Sequence, residues 1–149
     1  MILLELNMSD SRPIYSQIGD RVKFAVAAGV LRPGELVPSV RDLSKQLVVN
    51  PNTVARAYRD LQTEGLLKPV RGTGLQVSDG ATERCREARR GYVRERLRAA
   101  IVEARRSAME SAEIEVILRE EWARGVEHDH GNGPSRAIEF QDRGQEVGR

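Results

Sequence analysis

The sequence predicts a mainly α protein with a small β-hairpin wing, a winged helix-turn-helix domain followed by a two-helix region. Three observations carry that expectation. Apolar residues recur at helical spacing in three successive stretches between Pro13 and Gly65. Two short β-type runs then flank Arg71-Gly72-Thr73-Gly74. After Asp79-Gly80 the texture changes to Arg, Glu and Ala, with two further helical stripes. Residues 1–79 therefore read as one domain, 80–125 as the two-helix region and 126–149 as a tail.

Residues 2–6 form an apolar run suited to an extended strand, and Asn7–Arg12 is rich in turn formers. From Pro13 onward Ile14, Ile18, Val22, Ala25 and Val26 mark the first helix, with Pro13 at its start, where a missing N–H costs nothing, and Gly29 near its end. Pro33-Gly34 makes a turn, and Leu36-Val37 supplies a brief strand that Pro38 stops. Ser39 is suited to cap the second helix, with Asp42 three residues on as a short capping-box acid and Val40, Leu43 and Leu47 on one face. Val48-Val49 is the turn. Asn50 caps the third helix and Pro51 opens it. Val54, Ala57, Tyr58 and Leu61 line its buried face until Gly65 stops it, which leaves Asn52, Thr53, Arg56, Arg59 and Gln62 facing outward. Leu66–Val70 and Leu75–Val77 pair as a hairpin around the glycine-containing tip.

Beyond Gly80, Tyr92, Val93, Leu97, Ala100, Ile101, Ala104 and Ala108 give one stripe, and Ile114, Ile117, Leu118 and Trp122 a second, after a break around 109–111. Helices this thin cannot bury their apolar faces alone and need the first domain or a second copy. Beyond Gly125 the Gly, Pro and charge-rich sequence has no periodicity and is expected to be disordered.

Composition narrows the function classes. A chain of 149 residues, 40% hydrophobic and 31% charged, holds one compact domain and an accessory element. The net charge is +2, with +2 in residues 1–80, +2 in 81–125 and −2 in 126–149, so the basic excess lies in the body. Cys85 is the single cysteine, which excludes an internal disulfide framework. No apolar run reaches the roughly 18–20 residues of a membrane span, and the first residues lack the marks of a signal peptide, so a soluble cytoplasmic protein is expected.

In helix-turn-helix proteins the second helix of the motif lies in the major groove, and here its start offers Asn50, Asn52, Thr53 and Arg56. Asn pairs with adenine, Arg with guanine, and the Thr methyl meets that of thymine. Equally, Asn50 can serve only as a cap and the others as a solvated face. Arg41, in the first turn of the second helix, lies close to the expected phosphate path, although a first-turn Arg is commonly just a solvent-exposed residue. Gly72 and Gly74 suit turn geometry; a narrow tip with Arg71 also suits the minor groove or the backbone.

The run from Pro13 to Val77 resembles the DNA-binding domain of the GntR family of bacterial transcription regulators. The likeness is carried by Leu31-Arg32-Pro33-Gly34-Glu35, Pro38-Ser39-Val40-Arg41-Asp42-Leu43, Asn50-Pro51-Asn52-Thr53-Val54, Tyr58-Arg59-Asp60-Leu61, Glu64-Gly65-Leu66 and Arg71-Gly72-Thr73-Gly74. The short remainder is similar to the YtrA-type subfamily, whose two C-terminal helices dimerise. The resemblance implies that Arg41, Asn52, Thr53, Arg56 and the wing residues Arg71, Gly72, Thr73 and Gly74 sit at or near double-stranded DNA, and Asn50 joins them as a candidate from its place at the same helix start. The resemblance implies a homodimer on an inverted-repeat operator, for which the apolar-stripe residues Tyr92, Leu97, Ile101, Ile114, Ile117, Leu118 and Trp122 are the candidate contacts. It also implies repression, often of transporter genes, relieved by a small-molecule effector.

Other classes fit less well. Chains that fuse such a domain to an aminotransferase-like one need several hundred more residues and a cofactor lysine. The segment Glu127-His128-Asp129-His130 lacks a third fixed metal ligand, so neither a metal nor a cofactor is expected. A protein-binding winged helix would carry an apolar patch where this one has polar and basic groups. Trp122 reads as a core or interface anchor, and Arg84, Arg86, Arg89, Arg90 and Arg94 interleave with Glu83, Glu87 and Glu95 as on a solvated helix. Cys85, a lone thiol near a helix start, would be a redox sensor only with a depressed pKa.

Overall fold

A computed structural model of the chain describes residues 6–128, with side chains through Gly125. Its elements run in the expected order: α1 (Ile14–Ala27), α2 (Val40–Leu47), α3 (Pro51–Thr63), β1 (Leu67–Val70), β2 (Gly74–Val77), α4 (Ala81–Arg106) and α5 (Ser111–His128). The expected strand at 2–6 lies almost wholly outside the described residues, as does the tail after His128.

The described residues divide into two compact units, with the division after Glu87. In the first, α1 and α2 each pack on α3, and β1 packs on α3. Ile18, Leu43, Leu47, Leu61, Val26, Val54 and Val77 are each less than 2% exposed. Burying an aliphatic side chain of this size contributes about 1.5–3 kcal/mol, so this small set supplies much of the drive to fold. Ala81 and Cys85, one turn apart on α4, belong to the same core. Arg84 donates to the Glu64 carbonyl, and the Arg86 Nε–H to that of Ala27 at 3.4 Å. These contacts carry the first unit past Gly80, where the change of texture suggested an edge.

Four helices end alike. After α1 the Gly29 N–H bonds to Val26 and the Val30 N–H to Ala25; after α3, Gly65 bonds to Gln62 and Leu66 to Leu61. The same pair of bonds closes α2, through Val48 and Val49, and α4, through Ala108 and Met109. This Schellman closure puts one residue in the left-handed region. Gly29 and Gly65 do so without strain, whereas Val48 (φ 54°) and Ala108 (φ 60°) hold it with a side chain attached.

The hairpin pairs Leu67 with Val77, Lys68 with Gln76, Pro69 with Leu75 and Val70 with Gly74. Gly74 therefore opens β2 and is not part of the tip, which shrinks to Arg71–Thr73. The expected strand at Leu36-Val37 is a single bridge from Leu36 to Gln76. Pro38 cannot donate a ladder hydrogen bond, which limits the pairing. Even so, Val37 donates to Leu75 and Val77 to Glu35, both at 2.9 Å, so both edges of β2 are tied down.

In the second unit α4 turns at 107–110 into α5. α5 continues through Gly125 to His128, into the segment expected to lack structure. One glycine within a helix costs about 1 kcal/mol, which does not stop it when both flanks are helical.

Candidate nucleic-acid interface

The start of α3 is built by local hydrogen bonding. Asn50 has extended dihedrals, and its side-chain carbonyl accepts the Asn52 N–H at 2.8 Å. Pro51 occupies the first turn, where no N–H is required. Asn50 is thus occupied as a cap through its oxygen, while its amide N–H₂ points to no partner among the described residues. Asn52, Arg56 and Arg59 are exposed and Thr53 and Gln62 are half-buried. The outward face is the one that the apolar spacing required.

Arg56 does not extend freely into solvent. Its guanidinium carbon lies 3.7 Å from the centroid of the Tyr15 ring, which α1 presents from its first turn. Stacking occupies the flat face of the guanidinium and leaves its N–H edge available.

α2 is held against α3 by Tyr58, whose buried hydroxyl donates to the Pro38 carbonyl at 2.8 Å. Burial, with Asp42 adding a smaller effect, pushes the Tyr58 phenol well above its ordinary range. One residue beyond Pro38, Ser39 caps α2. Its hydroxyl accepts the Asp42 N–H at 3.1 Å, which caps the helix, and donates to the Asp42 carboxylate at 2.7 Å, so the acid returns to the Ser39 hydroxyl and not, as in a full capping box, to the Ser39 backbone N–H. Asp42 is thereby occupied, and Arg41, exposed in the same turn, has no ion pair among the described residues.

Arg71, Gly72, Thr73 and Gly74 are all exposed. The Thr73 N–H closes the tip on the Val70 carbonyl at 3.0 Å, and Gly72 takes φ 73°, which a side chain would resist. The tip is joined to α3 through the packing of β1, so the sequence-predicted residues occupy two supports: the α2–α3 pair and the hairpin.

Sequence reasoning missed Tyr15 and the Tyr58 hydroxyl. Tyr15 lies three residues before Ile18 and seven before Val22, on the core-facing side of α1, and its contact with Arg56 left no signal in the sequence. Cys85 is 1% exposed, and burial pushes its thiol upward despite the opposing pull of Lys23 and Arg84, the reverse of what a redox sensor needs. A cleft of about 130 Å³ between α1 and α3 is lined by Tyr15, Asp20, Lys23, Asp60 and Glu64 among others, well under the usual several hundred Å³ of a small-molecule site. Among the described residues no cluster of His, Cys, Asp or Glu is placed to hold a metal, and the segment Glu127-His128-Asp129-His130 lies at and beyond their limit.

On the second unit Ile114 is buried and Tyr92 and Ile101 are half-buried, while Leu97, Ile117 and Leu118 are exposed. Trp122 is 79% exposed, so it is no core residue of the single chain. Val93, Val102 and Val116 are exposed beside them. No helix among the described residues is long and apolar enough to cross a membrane.

A three-helix core with a capped polar helix end and a hairpin wing defines a winged helix-turn-helix, DNA-binding transcription regulator. The family described as "Bacterial regulatory proteins, gntR family" matches residues 14–77. The HTH-type transcriptional repressor YtrA of Bacillus subtilis is 30% identical over 131 residues, 88% of this chain and 97% of that protein. Among solved structures, a GntR family transcriptional regulator from Listeria monocytogenes aligns with TM-score 0.62 and 29% identity over 76% of this chain and 98% of that one. YtrA from Sulfolobus acidocaldarius, a GntR-family transcription factor, aligns with TM-score 0.50 and 30% identity over 68% and 99%. The chain belongs to the GntR family of bacterial regulatory proteins, with the short helical remainder of its YtrA-type members.

Proposed function

We propose that the protein is a sequence-specific, homodimeric, cytoplasmic repressor that acts by occupying an inverted-repeat operator and has no catalytic role. The observation that carries this reading is the exposed, capped start of α3, with Asn52 and Arg56 outward beside the half-buried Thr53. Asn52 supplies one donor and one acceptor for an adenine edge, Arg56 two donors for a guanine edge and Thr53 a methyl for thymine. Arg41, the Asn50 amide and the tip Arg71–Thr73 with Gly74 hold the duplex through phosphate or the minor groove. The repressor role follows the name of the Bacillus subtilis relative.

Residues 80–125 act as the dimerisation region through Tyr92, Leu97, Ile101, Ile114, Ile117, Leu118 and Trp122. The exposure of Leu97, Ile117, Leu118 and Trp122 on one chain supports that role, because apolar surface of this extent gains by being covered. A small-molecule effector that releases the operator, in the manner of transporter-operon regulators, fits at the dimer interface better than in the narrow α1–α3 cleft.

Selection of bound duplexes from a random pool, followed by footprinting, tests this reading. The expected product is a two-fold symmetric sequence with half-sites about 10 base pairs apart, centre to centre. An asymmetric single half-site, or no enrichment, would refute it.

A further inference from the structure

We propose that Tyr15 is a positioning residue for DNA recognition, a rigid platform on α1 that fixes the direction in which Arg56 of α3 presents its N–H edge. The inference rests on the reading of the α3 face as a DNA interface and adds to it a residue on another helix.

The geometry separates this pair from two other arginine–aromatic contacts among the described residues. Arg21 over Phe24 and Arg96 over Tyr92 stand at 5.8 and 5.2 Å, each within one helix and one turn apart. Arg56 over Tyr15 is at 3.7 Å, van der Waals contact, and joins residues of different helices. Arg56 has no ion pair among the described residues, so no carboxylate within ion-pair distance draws its guanidinium off the ring. Tyr15 is itself held: it is half-buried and packs against the hydrophobic core, which supports its ring from below.

An unsupported arginine samples many rotamers and loses that freedom when it meets a base or a phosphate. A guanidinium already lying on a ring has lost much of it beforehand. The stack uses the π-face and leaves the in-plane donors, which are the ones that address a guanine edge or paired phosphate oxygens. The Tyr15 ring therefore acts through Arg56, and any effect of removing it should require Arg56 to be present.

Binding of the full chain to its selected duplex and to a random duplex, at one salt concentration, tests this in a double-mutant cycle. Tyr15→Leu is expected to weaken the selected duplex about fivefold, with a smaller effect on the random one. Tyr15→Phe keeps the ring and should restore binding to within about twofold. On an Arg56→Ala background, Tyr15→Leu should add no further loss. Equal losses with and without Arg56, or unchanged binding by Tyr15→Leu, would overturn the proposal while leaving the DNA reading intact. A wild-type chain that binds both duplexes alike would overturn both. Should Tyr15→Leu fail to fold, the Arg56 side-chain proton shifts of the unmodified protein decide: upfield displacement by the ring is expected, and ordinary shifts would overturn the proposal.

Discussion

Val48→Gly should stabilise the protein although it removes a hydrophobic side chain. Val48 sits at φ 54°, ψ 53° in the closing turn of α2, directly before α3, and is 69% exposed. Left-handed backbone costs an L-residue about 1–2 kcal/mol, and a β-branched side chain stands at the unfavourable end. Glycine removes that cost but gives back about 0.5–1 kcal/mol through the greater freedom of the unfolded chain. Because Val48 is mostly exposed, little packing is lost. The balance is a gain on the order of 1 kcal/mol, or about 5 °C in Tm for a unit of this size. Urea unfolding followed by far-ultraviolet circular dichroism reads it as a higher midpoint at unchanged slope. Gly29→Ala is the mirror experiment, because an added Cβ there meets nothing within 4 Å and only φ +78° opposes it, so it should lose about 1 kcal/mol. A lower midpoint for Val48→Gly, alongside a loss for Gly29→Ala, would refute the strain argument.

Three further expectations follow from the contacts. Tyr58→Phe strands the Pro38 carbonyl and should cost about 1–2 kcal/mol by the same unfolding assay. An unfolded phenol ionises near pH 10, whereas burial keeps Tyr58 protonated in the fold. The folded state then holds a proton that the unfolded state releases, so stability should fall as pH rises above about 10, and Tyr58→Phe should flatten that fall. Arg71→Ala should lower DNA affinity and reduce the salt slope by about one counterion, read from titrations at several salt concentrations. Trp122→Ala should leave the fold intact and weaken self-association by about 2 kcal/mol or more, measured by sedimentation equilibrium.

The order of helices and hairpin was legible because each element carries its own punctuation. Ser39 and Asn50 cap, Pro13 and Pro51 open, Gly29 and Gly65 close, and the apolar spacing between them names the buried faces. Where a boundary depended on tertiary contact the sequence was silent. Ala81 and Cys85 carry too little apolar area to announce that the start of α4 belongs to the first core. The left-handed turn at Val48 was equally hidden, since valine is the wrong residue for it by local preference and is held there by the closure of α2 onto the following helix. The outward residues of α3 were legible from periodicity, but the Tyr15 platform was not, because it joins positions 15 and 56, beyond the reach of any local pattern.

The central claim is that the start of α3 reads bases, and Asn52→Ala tests it most directly. With binding measured at one salt concentration on the selected duplex and on a random one, the variant should lose about 1–3 kcal/mol on the first and little on the second, with relaxed base choice at one position of each half-site. Equal losses on the two duplexes, or none on either, would contradict the account.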